Sequence, residues 1–186
     1  MEKLNSKPLK IAFTGPECSG KTTLANWLAT ELNAILVSEY AREYLTGSAN
    51  SYQSNDLDRI AQMQFMLEEK ALESGSKFIV CDSDLLVMKV WSEVGYNSAS
   101  PLIEELFERS HYDFTFLCKP DFDWVFDPLR EYPDDAERMG LFTRYEKHLK
   151  NGSGAFTVLE GSLETRKAAV LKALDNKYIQ HPSKAD

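Results

Sequence analysis

Short apolar runs alternate along the 186-residue chain with longer stretches in which apolar residues recur every three or four positions. The runs at 9–13, 34–37, 77–82, 114–118 and 155–159 have strand length and are rich in Ile, Val, Leu and Phe, so five strands are expected there. Helical spacing marks the stretches between them. Leu24, Trp27, Leu28 and Leu32 share one face of 21–32, and Leu57, Ile60, Ala61, Gln64, Leu67 and Ala71 share one face of 56–74, widened by Met63, Phe65 and Met66. A third helix is expected over 85–94, and Ser100 followed by Pro101 opens a fourth that runs to 109. The fifth, 134–149, buries Met139, Phe142, Tyr145 and Leu149 and stops at the Asn-Gly-Ser-Gly of 151–154. Ser162 caps the sixth, 163–174, whose exposed face carries Glu164, Arg166 and Lys167. Gly75 is the expected C-cap of the second helix. Strands and helices in alternation mean an α/β fold, a parallel sheet covered on both faces through right-handed crossovers.

Three stretches fall outside this periodicity. Residues 47–55 form a Ser/Asn-rich loop, and 181–186 are an expected frayed end. Residues 119–133 hold too many prolines and acids for regular structure, yet include Trp124, Val125, Phe126 and Leu129. A loop with that much apolar surface packs or closes on something, which suits a lid.

Composition narrows the partners. The length suits one α/β domain with a sizeable core, spanning 1–186. A net charge of −8 and a pI near 5.0 argue against nucleic acid or an anionic membrane as the main partner, because a diffusely acidic protein is repelled by both. Cys18, Cys81 and Cys118 are odd in number and lack C-x-x-C spacing, which points to neither a disulfide framework nor a zinc site and fits a reducing cytosol. The polar first residues and the absence of a long apolar run complete the expectation of a soluble, cytoplasmic protein. Nothing in the pattern reports an oligomeric state.

The chemistry begins where the first strand ends. Gly15-Pro16-Glu17-Cys18-Ser19-Gly20-Lys21-Thr22 fits G-x-x-x-x-G-K-[ST], and it stands between a strand and a helix as that motif requires. Glycines let successive amide N–H groups turn inward around an anion, Lys21 reaches β/γ oxygens, and Thr22, followed by Thr23, offers a hydroxyl to Mg²⁺. Cys18 in such a loop is either a tolerated small residue or a thiol biased by amide dipoles. The second strand is followed by Ser38-Glu39-Tyr40-Ala41-Arg42, placing Glu39 and Arg42 either in a ligand crevice or on a solvated loop. Asp82 ends the third strand in the arrangement that holds Mg²⁺ through water. Asp84 is either an acceptor-facing acid or the N-cap of the following helix. Trp91 and Tyr96 either line a pocket or pack. Arg130, with Arg138 and Arg144 nearby, is delivered to phosphates by the lid or pairs with Glu131 or Asp127. Gly161-Ser162 lies, by fold analogy, where purine-contacting loops occur. All the main candidates follow a strand's carboxyl end, so one crevice can gather them.

Four segments carry a resemblance to the NadR-type AAA family, whose best-known member domain is the ribosylnicotinamide kinase of NAD salvage. They are residues 15–22, Ser38-Glu39-Tyr40-Ala41-Arg42-Glu43-Tyr44, Cys81-Asp82-Ser83-Asp84 and Trp124-Val125-Phe126-Asp127-Pro128-Leu129-Arg130. The resemblance implies a P-loop kinase fold, a three-layer sandwich with sheet order 2-3-1-4-5, and transfer of the ATP γ-phosphoryl to a riboside hydroxyl. It further implies that Glu-Tyr-x-Arg and Asp-x-Asp face the acceptor and that D-x-L-R is the lid. This chain departs from the family at three points. Multidomain members carry DNA-binding and adenylyltransferase regions before the kinase, and here 1–8 precede the first strand, so neither activity is carried over. Pro128 replaces a lid glycine. Ser38 replaces a tryptophan that stacks on the pyridine ring in members acting on nicotinamide riboside, which leaves the acceptor open.

The expected machine is therefore an ATP- and Mg²⁺-dependent phosphotransferase for a small riboside. The loop 15–23 and Lys21 hold phosphates; Thr22 and Asp82 hold Mg²⁺. Glu39 orients or deprotonates the acceptor, a role it could exchange with Asp82; Arg42 and Arg130 stabilise transition-state charge; Tyr40 and Asp84 contact the acceptor. The rival expectations are a nucleotide-dependent switch or regulatory ATPase module, and a kinase for another small alcohol or nucleoside.

Overall fold

The computed structural model describes residues 7–46, 52–152 and 154–175. Residues 47–51 of the Ser/Asn-rich loop, Ser153, and the segment expected to fray lie outside that description. Five strands, β1 (Leu9–Thr14), β2 (Ile35–Val37), β3 (Phe78–Asp82), β4 (Phe114–Cys118) and β5 (Phe156–Leu159), form one sheet in the order β2-β3-β1-β4-β5. All four pairings are parallel, with Ala12 opposite Cys81 on one side and Thr115 on the other. The order places β1, and the loop after it, at the centre of the sheet's carboxyl edge. β3 with its terminal acid and β4 with its lid flank it.

The helices are α1 (Lys21–Glu31), α2 (Tyr40–Thr46), α3 (Ser54–Leu72), α4 (Leu85–Tyr96), α5 (Pro101–Arg109), α6 (Asp135–Asn151) and α7 (Leu163–Asp175). α1 and α7 cover one face, burying Leu24, Leu28, Val170 and Leu174 against Ile11, Phe13 and Phe116. α2–α6 cover the other, through Leu57, Ile60, Leu85, Leu86, Ile103 and Phe142. The strands alternate accordingly. Ile11 and Phe13 face α1, while Ala12 and Ile79 lie in a smaller cluster beneath α3.

Local chemistry sets most boundaries. Asp84, Ser100 and Asp134 accept from the amides of Val87, Ile103 and Glu137, capping α4, α5 and α6. α3 starts two residues earlier than its periodicity suggests, because Asp56 turns back to accept from the Gln53 amide at 2.9 Å. It ends at Leu72, and Gly75 takes its left-handed turn (φ 77°) beyond the cap. Tyr40–Thr46, whose mixed charge reads as a loop, is helical because tertiary contacts hold it. Gln64 Oε1 accepts from the Tyr40 amide at 2.9 Å, and Ala41 and Leu45 are buried.

Three side chains depart from their expected environment. Met66 and Met139 are exposed rather than core residues, so the apolar faces of α3 and α6 are narrower than the spacing suggests. Arg166, expected on the exposed face of α7, is fully buried, as is Arg138 at the start of α6. Beneath the sheet Lys10 and Glu68, both almost wholly excluded from water, pair at 2.7 Å, with Tyr112 donating to Glu68 at 2.9 Å. Burial pushes the Glu68 carboxyl above its ordinary range despite the Lys10 charge.

Phe13 stacks on Phe116 with centroids 5.3 Å apart at the strand that leads into the phosphate-binding loop. Phe13→Ala is expected to lower the unfolding free energy by about 3–5 kcal/mol in urea denaturation; a loss below about 1 kcal/mol would mean the centre of the sheet is not close-packed.

Candidate active site

The turn between β1 and α1 is shaped by what cannot be placed there. Gly15 has φ 129°, and a Cβ on it would meet the Cys118 carbonyl oxygen at 2.6 Å. Gly20, with φ 85°, has the Phe122 ring 3.0 Å from the same imaginary atom. Both positions therefore need glycine for conformation and for space. Cys18 adopts the left-handed region without being glycine (φ 54°), and the buried Ser19 hydroxyl donates to the Pro16 carbonyl at 2.7 Å. α1 starts at Gly20 without a side-chain cap, so its first amides are left to whatever occupies the turn. The Lys21 ammonium folds back onto the Gly15 and Pro16 carbonyls at 2.9 and 2.7 Å. Phosphate oxygens brought into the turn would replace those carbonyls as its partners.

Carboxylates from the neighbouring strands surround this turn. Asp82 lies beside Thr22, which acts to lower its pKa, and its Oδ1 is buried with no protein partner. A hydroxyl beside an orphaned carboxylate oxygen is a hard, all-oxygen donor set, which fits Mg²⁺. Burial pushes the Asp82 carboxyl up, opposed by Thr22, Lys21 and Arg42. Glu39 is half-buried in the same cavity, and its carboxyl is likewise raised by burial, with Lys21 opposing and Asp82 reinforcing. Glu39, Asp82 and Lys21 thus share one electrostatic environment. Asp84 also feels the Lys21 charge, although it does not line the cavity. Its carboxylate accepts from the Thr14 hydroxyl at 2.7 Å and the Val87 amide at 3.2 Å, and burial pushes its carboxyl up to about 7.

The lid lies over the turn. The Glu17 carboxylate accepts from the Glu131 and Tyr132 amides at 3.0 and 2.7 Å, so the phosphate-binding loop itself holds the lid's far end. Asp127 and Arg130 close a turn, with the Arg130 amide on the Asp127 carbonyl at 3.0 Å. Asp127 also pairs with Arg42 at 3.0 Å. The Leu129 amide and the Arg42 charge hold its carboxyl below the usual range. The Arg130 guanidinium donates to the Val125 carbonyl and reaches Cys18 Sγ at 3.5 Å. Of the lid's apolar residues Leu129 lines the cavity, while Val125 and Phe126 stay exposed.

The resulting cavity is about 200 Å³. Gly15 to Thr23, Glu39, Arg42 and Arg130 line its polar end; Val87, Val90, Trp91, Leu141 and Tyr145 line an apolar end. Trp91 is thus a wall of the cavity, its indole N–H held by the Tyr52 hydroxyl at 2.6 Å. Asp82, Asp84 and Tyr96 do not line it, and Tyr40 and Ser38 line a separate hollow beside β2. Arg138 does not line the cavity; its terminal nitrogens donate to the Phe122 carbonyl and Asp135 while its Nε is buried without a partner. Glu131, Tyr132 and Tyr145 line the cavity without having been singled out; only Tyr145 had a sequence signal, as part of the apolar stripe of α6.

A family model described as an AAA domain matches residues 10–166. The chain belongs to that family. Its relatives include the trifunctional NAD biosynthesis/regulator protein NadR of Salmonella typhimurium, 27% identical over 150 residues, which make up 78% of this chain and 37% of that protein. The chain thus spans little more than a third of that relative's length. Among solved structures, NadR in complex with NAD and AMP-PNP superposes with a TM-score of 0.76 at 19% identity, over 91% of this chain and 49% of that one. Thymidylate kinase from Ehrlichia chaffeensis superposes with a TM-score of 0.66 at 19% identity, over 91% of this chain and 100% of that one. The five-stranded parallel P-loop kinase fold, ordered 2-3-1-4-5, is therefore shared with both. No helix among the described residues is long and apolar enough to cross a membrane.

Asp84 keeps its proton to about pH 7 in the folded chain, against an ordinary value of 3.8, so the native state binds more protons between those limits. Stability contributed by this group is complete below the lower value and lost as pH rises through the upper one. Asp84→Asn keeps an acceptor for Thr14 and cannot ionise. The variant is expected to gain stability relative to wild type as pH rises across that interval, measured by urea midpoints at several pH values; parallel profiles would place the titration elsewhere.

Proposed function

We propose that the chain is an ATP-dependent kinase of small ribosides, with nicotinamide riboside first among the acceptors to test. The observation that carries this reading is the meeting of a glycine-shaped phosphate turn, Thr22 and Glu39 at the polar end of a cavity whose other end is apolar, with Asp82 beside Thr22 just outside the lining. Trp91 and Tyr145 offer that end a flat aromatic lining, which suits the ring of a riboside better than a free sugar or an extended alcohol. The NadR relative and the nucleotide-kinase fold support the same class of reaction.

Phosphoryl transfer needs alignment and charge neutralisation more than covalent chemistry. The amides of 15–23 and Lys21 would hold the β- and γ-phosphates. Thr22 and Asp82 would hold Mg²⁺, which supplies neutralisation of phosphate charge. Glu39 faces the acceptor side and, with its carboxyl raised by burial, is suited to take the hydroxyl proton as the bond to phosphorus forms. Arg42 and Arg130 approach from the acceptor and lid sides to stabilise charge on the transferring group. Asp84 then supports the site from outside the cavity by capping α4, and Tyr40 begins α2, its amide held by Gln64.

Thermal-shift measurements with a nonhydrolysable ATP analogue and a panel of ribosides test this reading. Nucleotide alone is expected to stabilise, and a riboside substrate to add a further shift. The same riboside is expected to drive ATP consumption that Lys21→Ala reduces by about 10²–10³-fold or more. ATP hydrolysis independent of every riboside would instead identify a switch or regulatory ATPase module.

A further inference from the structure

Arg166 is the largest departure from the expected surface of the chain, and it lies directly behind the phosphate turn. Its side chain is fully buried, although α7 is otherwise an amphipathic surface helix. A buried guanidinium is tolerated only when its donors are used, and here they are used on four acceptors from three segments. Nε donates to the Gly161 carbonyl at 2.9 Å, and Nη1 to the Ser19 carbonyl at 2.8 Å. Nη2 donates to the Lys119 carbonyl at 3.0 Å and to the Asp121 carboxylate. The Asp121 carboxylate also accepts from the Gly161 amide at 2.8 Å, so the loop after β5 and the root of the lid are tied by a closed ring of bonds.

The guanidinium also lies over an aromatic ring. It lies 4.3 Å from the centroid of Phe122, the same ring that packs against Gly20. From behind, Arg166 therefore holds the carbonyl of one phosphate-turn residue and, through Phe122, presses on the next. Peptide planes are rigid, so fixing the Ser19 carbonyl and the space at Gly20 fixes where the amides of Gly20 and Lys21 point. Those amides face the turn that the proposed polyphosphate enters.

We infer that Arg166 is a positioning residue for the donor nucleotide: it fixes the phosphate turn in its anion-gripping shape and couples that shape to the root of the lid. It touches no reacting atom. Lysine in its place keeps the charge but offers a single point of donors, which cannot span carbonyls from residues 19, 119 and 161 or stack flat on Phe122.

The inference rests on the turn being a polyphosphate site, and calorimetric titration with ATP and AMP separates the two failures. Wild type is expected to prefer ATP to AMP. Arg166→Lys is expected to narrow that preference by about tenfold or more through weaker ATP binding, measured well below the melting temperature. A merely structural role would lower the melting temperature and leave the preference intact. Phe122→Leu, which removes the ring between Arg166 and Gly20, is expected to move the preference in the same direction, and it decides the matter if Arg166→Lys does not fold. An unchanged preference in folded Arg166→Lys, or in Phe122→Leu where it alone folds, overturns the positioning role while leaving the site standing. A wild type that does not prefer ATP overturns the site itself.

Discussion

Everything at this site depends on a backbone turn that cannot accept side chains at two places. Gly15 lies against the Cys118 carbonyl and Gly20 against Phe122, each at a φ open to glycine and strained for other residues. The constraint acts both ways, because the same contacts that exclude a Cβ hold the turn against β4 and the lid root. A turn so fixed presents its amides to an anion before the anion arrives, which removes an ordering cost from binding. Parallel pairing of β1 between β3 and β4 puts that turn within reach of acids from β3 and basic groups from the lid.

Around this centre the polar groups form two systems with different consequences. Behind the turn, Arg166 is fully buried and its donors are met by Asp121 and by the carbonyls of residues 19, 119 and 161. In front, Lys21 borrows loop carbonyls, Asp82 keeps an unpartnered oxygen, and Glu39 is raised by burial while flanked by Lys21 and Arg42. Unfinished bonding on one side and finished bonding on the other is what a pre-shaped ligand site requires. Glu17 joins the two halves, since it belongs to the turn and yet accepts from two lid amides.

Much of this was legible in the chain. The five apolar runs are the five strands, and the glycine loop lies where strand and helix periodicities meet. Ser100, and Asp84 on one of its two readings, cap the helices they precede as expected. What escaped is tertiary in origin. α2 reads as a mixed-charge loop because its stability comes from Gln64 and from burial of Ala41 and Leu45, which lie on other segments' surfaces. Arg166 sits between Glu164 and Lys167 in a solvent-like context, and the carbonyls that draw it inward come from residues 19, 119 and 161. Met66 and Met139 have core-like spacing yet stay exposed. Of the two readings of Asp84, the helix cap is seen, its carboxylate accepting from Thr14 and the Val87 amide.

The central claim is that main-chain amides of this turn grip a polyphosphate. Backbone amide NMR shifts recorded while inorganic tripolyphosphate and then Mg²⁺–ATP are added test it most directly. The account predicts that both ligands move the amides of residues 15–23 most, with Lys21 losing its contacts to the Gly15 and Pro16 carbonyls. Shifts centred elsewhere on the molecule, or no response to either ligand, would contradict it.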